Sequence, residues 1–453
     1  MNSTQLTVVA GLCLALIGEL AGPMSRAQDK VPAPGAARDN RPQDRAAGTA
    51  QTAARKRWYK GNLHTHSLWS DGNDFPEMIA DWYKSHGYHF LALSDHNILS
   101  RGEKWIRTEQ PVKRGNDGAL ARYRQKMGEA WVETRNQDGM PEVRLRGLDE
   151  FRGMFEESEK FLMVQAEEIT DHFGSLPVHI NATNLVELIR PQGGQTLRET
   201  IANNLIAVEQ QRRRAGRPIL AHLNHPNFGY AVTAEDLASV IQEKFFEIYN
   251  GHPGVNQLGD ETHVGLERMW DIANTIRLGE MKQPPLLGLG TDDSHNYEGP
   301  RGASPGRGWV MVHATGLTPA ALVEAIEAGD FYASSGVTLT DIRFAEKDRE
   351  LAIDIEAAPG VEYVTQFIGT PRSYDRTNTP VRDAEGKEIT ATRRYSADVG
   401  QVLHEVSGAH PRYRLNGEEL YVRAVVRSSK PHPNPSYDNQ TEQAWTQPVG
   451  WSR

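Results

Sequence analysis

Cysteine is the scarcest residue of this chain: there is one in 453 residues, Cys13, inside the N-terminal apolar stretch. Beyond it there is no thiol, so disulfides, thiolate ligands and cysteine nucleophiles are excluded there. Any metal must then be held by His and carboxylates. Long apolar runs are almost as scarce. Residues 6–22 read LTVVAGLCLALIGELAG, a short run interrupted by Glu19 that falls below what a membrane span requires. Ser25, Arg26 and Ala27 follow, with small residues at the positions a signal peptidase reads. We expect a signal peptide over residues 1–27, cut after Ala27, and a periplasmic or secreted protein without stable membrane association. The leader MNSTQ lacks a Lys or Arg, which leaves an uncleaved anchor or a misassigned start as the alternatives. Leu12 precedes Cys13 where a lipid anchor needs a small residue. Basic charge is also in deficit. A net charge of -9 argues against nucleic acid, so the expected partner is a small-molecule substrate.

What the chain has is ordered in three stretches. Residues 28–57 are rich in Ala, Pro, Arg and Gln with almost no large apolar side chain, the composition of a disordered linker. Residues 58–338 alternate short apolar runs (HFLALSDHN, KFLMVQAEEIT, PILAHLNHPN, FFEIYNGH, PLLGLGTDDSH) with helical periods such as FPEMIADWYKSHG and LRETIANNLIAVEQQRRRAG. Thr233 and Thr318 with Pro319 predict helix starts; Gly87, Gly216 and Gly329 predict helix stops. Strand–helix alternation predicts an α/β fold with a parallel sheet, closed as a barrel or open and doubly wound. Residues 101–160 break the rhythm and predict an excursion over one end. Residues 339–453 lose the helical period and predict a small all-β domain.

The polar residues that need explaining follow the apolar runs. They are His64, His66 and Asp71; Asp95 and His96; Glu167 and Glu168; His179; His222 and His225; and Asp293 and His295. A barrel gathers the C-terminal ends of its strands around one mouth, where such residues converge without being near in sequence. Residues i and i+2 of a strand share a face, so His64 with His66, and Asp293 with His295, can each serve one ion. Imidazole and carboxylate suit zinc, manganese or iron without choosing between them.

The motifs HTHSLWSDG, ALSDHN, AEEIT, NHPN and TDDSH, in this order over residues 58–335, resemble those of the PHP family, named for polymerase and histidinol phosphatase. LVEAIEAGDFYASSG and the tail with YVRAVV and AWTQP resemble its exported branch, which includes enzymes similar to carbaryl hydrolase. The resemblance implies a distorted seven-stranded (β/α) barrel holding two or three divalent ions. It implies His64, His66, Asp71, His96, Glu168, His179, Asp293 and His295 as ligands, with Glu168 rather than Glu167 as the bridge between ions. The family's third motif usually ends AHP. Here the strand runs AHLNHPN, so His222 and His225 both compete; His225 precedes the proline and is preferred, with His222 deeper in a supporting or core role.

Divalent ions make hydroxide available near neutral pH and polarise the substrate oxygen. Asp71 or Asp293 would accept a proton from the nucleophile. His252 could donate one to the leaving group, or simply cap its strand. Arg307 and Arg301 could take substrate oxygens, or be solvated loop residues. The expected function is a metal-dependent hydrolase, foremost a phosphoesterase on a small phosphomonoester or phosphodiester. A carbamate, ester or amide hydrolase is the alternative, and a non-catalytic metal or carbohydrate binder the third.

Overall fold

The structure is a computed structural model that describes residues 55–452. The expected signal peptide, Cys13 and the linker up to residue 54 lie outside the described residues. Among those described, no helix is long and apolar enough to cross a membrane.

Thirteen strands form one mixed sheet. Along the chain they are β1 (Arg57–Asn62), β2 (Phe90–Leu93), β3 (Leu162–Phe173), β4 (Leu176–Thr183), β5 (Leu220–Leu223), β6 (Phe245–Asn250) and β7 (Leu287–Thr291). Then come β8 (Trp309–Ala314), β9 (Phe331–Ser334), β10 (Tyr363–Pro371), β11 (Gln401–Ser407), β12 (Glu419–Pro431) and β13 (Thr441–Thr446). The spatial order is β7-β6-β5-β4-β3-β2-β1-β8-β9-β13-β12-β10-β11. β1, β2 and β3 run parallel, as do β5, β6 and β7. β4 is reversed against both neighbours, because it leaves β3 through a tight turn at Gly174, whose φ of 60° suits glycine. Within the β1-to-β7 run, the uniform parallel order expected from strand–helix alternation is thus broken where no helix intervenes.

The two ends of the β7-to-β1 run are tied to each other past the strand ends. Asp293 N–H donates to the His64 carbonyl at 3.0 Å, and His66 N–H to the Ser294 carbonyl at 2.9 Å. Tyr59 and Leu63, Phe90 and Ala92, Val164 and Ala166, Leu220, Phe245 and Leu289 meet in one buried core. Leu91 and Leu93 face the other way, onto the helices Pro76–Ser85 and Leu148–Phe155. Burial on both faces is why β2 reads as an unbroken apolar run.

The helix signals correspond to real caps. Thr233 and Thr318 accept from the N–H groups of Asp236 and Ala321. Gly216 caps the helix Leu197–Ala215 in the left-handed conformation. The 101–160 excursion carries, besides helices, a small antiparallel sheet of Lys104–Arg107, Thr134–Gln137 and Met140–Leu145 that its polar composition had hidden. The C-terminal segments do form strands. Four of them, β10 to β13, extend the main sheet beyond β9.

Candidate metal centre

The site begins with the backbone at the end of β1. His64 and His66 follow it, and the chain then turns through Ser67, Ser70 and Asp71. Asp95, at the end of β2, organises that turn. Its carboxylate accepts from Ser67 N–H at 2.8 Å, Ser67 Oγ at 2.7 Å, Ser70 N–H at 3.0 Å and Ser70 Oγ at 2.6 Å. Gly72 lets the turn close, since a Cβ there would lie 2.5 Å from the His66 carbonyl. The excursion docks on the same turn through Arg114, which donates to the Gly72 carbonyl at 2.7 Å.

Four electron-rich atoms converge at the centre. His64 Nε2 lies 3.1 Å from His66 Nε2, 3.4 Å from Glu168 Oε2 and 3.2 Å from Asp293 Oδ1. His66 Nε2 is 3.3 Å from Glu168 Oε2 and 3.2 Å from Asp293 Oδ1. Ligands held about 2.0–2.2 Å from one divalent ion are separated by about 3.0–3.5 Å, so these spacings fit a shared cation. Glu168 Oε1 faces a different set: His179 Nδ1 at 3.0 Å and His225 Nε2 at 3.6 Å. Asp71 gathers a third: Oδ2 is 3.4 Å from His96 Nε2, and Oδ1 is 3.4 Å from His295 Nε2 and 3.6 Å from His66 Nδ1. His96 Nδ1 is also 2.9 Å from Glu168 Oε2.

All nine expected ligands therefore fall in groups able to hold a cation, and His222 falls in none. β4 delivers His179 to this end because it is reversed: His179 pairs with Thr170, two residues beyond Glu168. Glu167 and Glu168 lie mid-strand rather than at a strand end, since β3 runs on to Phe173. Alternation turns Glu167 away, where it accepts from Ile189 N–H at 2.7 Å.

Two observations test the fit of a metal. Glu168 Oε2 and His179 Nδ1 are buried, and their close contacts with His96 Nδ1 and Glu168 Oε1 lack hydrogen-bond geometry, a costly state for polar atoms unless a cation supplies the missing contact. The site's own electrostatics ask for positive charge as well. Burial opposes charge on His96, yet Glu168 and Asp71 outweigh it and hold the imidazole up at about 11. Burial likewise opposes His64, and Asp293, Glu247 and Glu168 raise it well above the ordinary value. His66, desolvated and flanked by His295 and His96, is pulled down to about 3 and is a neutral ligand at any physiological pH. Backbone strain marks the same spot: His225, Asp293 and Asn97 have φ of 23°, 49° and 50°.

Sequence reasoning missed the residue that organises this cluster from below. Glu247, fully buried on β6, accepts from His64 Nδ1 at 2.7 Å, Thr291 Oγ1 at 2.8 Å, His225 N–H at 2.8 Å and Asn250 Nδ2 at 2.7 Å. Asn250 Nδ2 also reaches Asp293 Oδ2 at 3.1 Å. One carboxylate thus touches His64 and His225 directly and Asp293 through Asn250, and it turns His64 Nε2 toward the cluster. The signal was available: a Glu inside FFEIYN, where every other residue suits a buried strand. Asn224 was missed too; it donates to Glu168 Oε1 at 2.8 Å. His222 is buried 3.5 Å from Glu247 Oε1, below the cluster.

The residues expected to act on substrate are placed differently from one another. Asp71, about half exposed, and Asp293 line the mouth. His252 lies beside it, its ring 5.4 Å from that of His295. Gly254 N–H donates to His252 Nδ1 at 2.9 Å, which leaves the proton of a neutral ring on Nε2. Arg307 is buried, and its guanidinium donates to the Gly251 carbonyl at 2.8 Å and to Asn434 at 3.3 Å. Arg301 is exposed on its loop. Phe228 stands over the ligands, its ring 5.2 Å from that of His225 and 6.3 Å from those of His179 and His252.

No family model and no curated protein matches the chain. Among solved structures it is similar to a two-domain protein containing a predicted PHP-like metal-dependent phosphoesterase from Bacteroides vulgatus ATCC 8482. That likeness has 14% identity and a TM-score of 0.37, over 87% of this chain and 96% of that one. It is also similar to a candidate metal-dependent phosphoesterase from Bifidobacterium adolescentis ATCC 15703, with 15% identity and a TM-score of 0.26 over 54% of this chain and 89% of that one. Both likenesses are remote.

Proposed function

We propose that this chain is a metal-dependent hydrolase of the PHP type, acting on a phosphoester of a small molecule outside the cytoplasm. The observation that carries the proposal is the convergence of His64, His66, Glu168 and Asp293 at ion-sharing distances, with buried ligand atoms left without hydrogen bonds. The backbone ties between β7 and β1, with the core they enclose, support reading the seven strands as the distorted barrel of that family. In the same proposal residues 1–27 are the export signal, 58–338 the catalytic region and 339–453 the C-terminal β region.

Two or three divalent ions (zinc, manganese or iron) would be held by His64, His66, Glu168 and Asp293, by Glu168, His179 and His225, and by Asp71, His96 and His295. When bound, such ions make hydroxide available at neutral pH and polarise the bond to be broken. Asp71, the most exposed carboxylate of the cluster, receives the proton that the nucleophilic water gives up. Asp293 keeps its charge beside His64 and His66. His252 donates from Nε2 to the leaving group. Phe228 narrows the mouth and restricts water.

A specific observation favours a second reading. The Arg307 guanidinium is taken by Gly251 and Asn434, so the anion-binding group that favoured phosphate is spent within the fold, while Phe228 offers an apolar wall. A carbamate or ester fits such a mouth as the same chemistry on a carbonyl carbon. The test is to load the protein with manganese or zinc, measure bound metal, and assay bis-p-nitrophenyl phosphate, p-nitrophenyl phosphate and 1-naphthyl N-methylcarbamate side by side. Phosphoester hydrolysis that follows metal content is expected. Hydrolysis of the carbamate alone overturns the phosphoester reading, and activity that survives full removal of metal overturns the metal reading.

A further inference from the structure

A second concavity is lined by Lys60 of β1 and by Trp82 of the helix Pro76–Ser85. It has a volume of about 340 Å³ and is walled by Trp82, Tyr88, Trp309 and Tyr297, with Pro305 and Asn434 at its rim. At its back the Lys60 ammonium sits between two rings, 4.0 Å from the centroid of Tyr88 and 3.8 Å from that of Trp309. No described carboxylate pairs with it. The nearest acid, Asp292, already accepts from Tyr83 OH at 2.7 Å and from the N–H groups of Gly306, Arg307 and Gly308 at 3.0, 2.6 and 2.9 Å. Burial lowers the Lys60 pKa to about 8 against the smaller, opposing pull of the Asp292 charge, which still leaves the ammonium charged at neutral pH.

We propose that this cleft is a separate small-molecule site, for an aromatic carboxylate of one or two rings whose anionic end meets Lys60 and whose flat body lies among Trp82, Tyr88 and Trp309. Four observations carry it. A largely desolvated cation with no carboxylate in direct contact is unusual unless something external completes it. Rings alone compensate an ammonium only in part. The Tyr88 hydroxyl is buried with no partner, an unused polar group in the same wall. Trp82 is braced by stacking on His86, with ring centroids 3.9 Å apart and planes at 11°, so its face is held ready. The volume sits at the lower end of the ordinary range for ligand sites, which limits the occupant to a small molecule. The cleft is distinct from the metal mouth but touches it through Tyr297, whose hydroxyl donates to the His66 carbonyl at 2.8 Å.

The test is calorimetric titration of 2-naphthoate into the metal-loaded full-length chain, with 2-naphthamide as the uncharged probe. Saturable one-site binding of the naphthoate is expected, with the amide weaker by roughly tenfold or more. Lys60→Met should weaken the naphthoate by a similar factor and Lys60→Arg should preserve it. A melting curve checks that Lys60→Met is folded. Should it not be, Trp82→Ala on the helix surface serves in its place and must also weaken binding. Absence of naphthoate binding, or wild-type affinity in folded Lys60→Met or in Trp82→Ala, overturns the proposal; the second result would send the carboxylate to the metal mouth instead.

Discussion

Two buried charged clusters in this molecule solve the same problem in opposite ways. Between the helix Leu266–Thr275 and β12, Arg423 donates from Nε and Nη2 to the two oxygens of Asp271 at 2.8 and 2.6 Å. Tyr421 OH adds a third bond to Asp271 at 2.7 Å, and the guanidinium lies 4.8 Å over Trp270. Burial works against the Arg423 charge, and Asp271 more than restores it. At the mouth, by contrast, imidazole nitrogens and carboxylate oxygens crowd onto one point and compete for the same protons. Burial of charge is common to both. What separates them is that one cluster balances its carboxylate with a permanent guanidinium cation, whereas the other has only imidazoles, whose protonation would use up the nitrogens that could hold a metal. A permanently charged pair suits architecture; a crowd of imidazoles and carboxylates suits the metal role proposed above.

The comparison breaks most sharply at Glu168. Glu168→Gln keeps the shape, removes the charge and replaces one oxygen by a donor, so metal measured by elemental analysis should fall and hydrolysis drop by about 10³-fold, as when one strongly stabilising group is lost from an active site. Retained metal with retained activity would mean the convergence is accidental. Asp271→Ala is the mirror experiment. It strands the Arg423 charge and should cost about 3–5 kcal/mol of stability in a denaturant titration, with metal per folded molecule unchanged. A loss of metal instead would show that the two clusters are one network.

The convergence of the nine residues was legible because metal chemistry needs particular residue types, and few other pressures put His or carboxylate after so many apolar runs. The preference for His225 over His222 came from its place before the proline in the motif resemblance, and the geometry puts His225 among the clustered residues and His222 beside Glu247. What supports the ligands was much less legible. Glu247 reads as one acidic residue in an apolar run, and its role exists only because β5, β6 and β7 bring His225, Asn250 and Thr291 around it. The reversal of β4 was hidden since a two-stranded turn and a helix-linked pair differ by a few residues, here at Gly174. Strand extent failed for the same cause: β3 continues past Glu168 because β4 folds back and pairs with it. Arg307 had the right neighbourhood and the wrong direction, as side-chain orientation in a loop is set by contacts with Gly251 and Asn434 from distant segments.

Metal removal sharpens the comparison at an intermediate scale. With free metal a hundredfold above its dissociation constant, binding contributes about 2.7 kcal/mol to stability, so chelation should lower the melting temperature of the wild type and spare that of Glu168→Gln. Glu247→Gln comes next. It keeps the volume but gives the amide nitrogen a donor where His64 Nδ1–H or His225 N–H needs an acceptor. Metal affinity should weaken by about 10- to 100-fold in competition with a chromophoric chelator, while the cluster residues themselves remain in place. An unchanged affinity would reduce Glu247 to packing.

The smallest effect concerns a buried charge that follows neither pattern. Glu243 lies just before β6, away from both clusters and fully buried. Its Oε1 accepts from Lys244 and Phe245 N–H at 3.0 Å each, and its Oε2 has no partner. Arg277 is near but donates to the Glu243 backbone carbonyl. Burial therefore dominates, and the carboxyl is pushed up from 4.5 to about 7. A raised carboxyl pKa means that the folded state holds the proton more tightly than the unfolded chain. Its contribution to stability is greatest in acid and is lost as pH rises from about 4.5 through about 7. Glu243→Gln removes that dependence. Its amide adds an N–H that finds no acceptor and offsets part of the gain, so the variant should be more stable than wild type by about 1 kcal/mol at pH 8 and no more stable at pH 5. Urea titrations at the two pH values decide it. A wild-type curve that runs parallel to the variant's across the window would mean that Glu243 keeps its charge, and that Arg277 and Lys244 supply the balance after all.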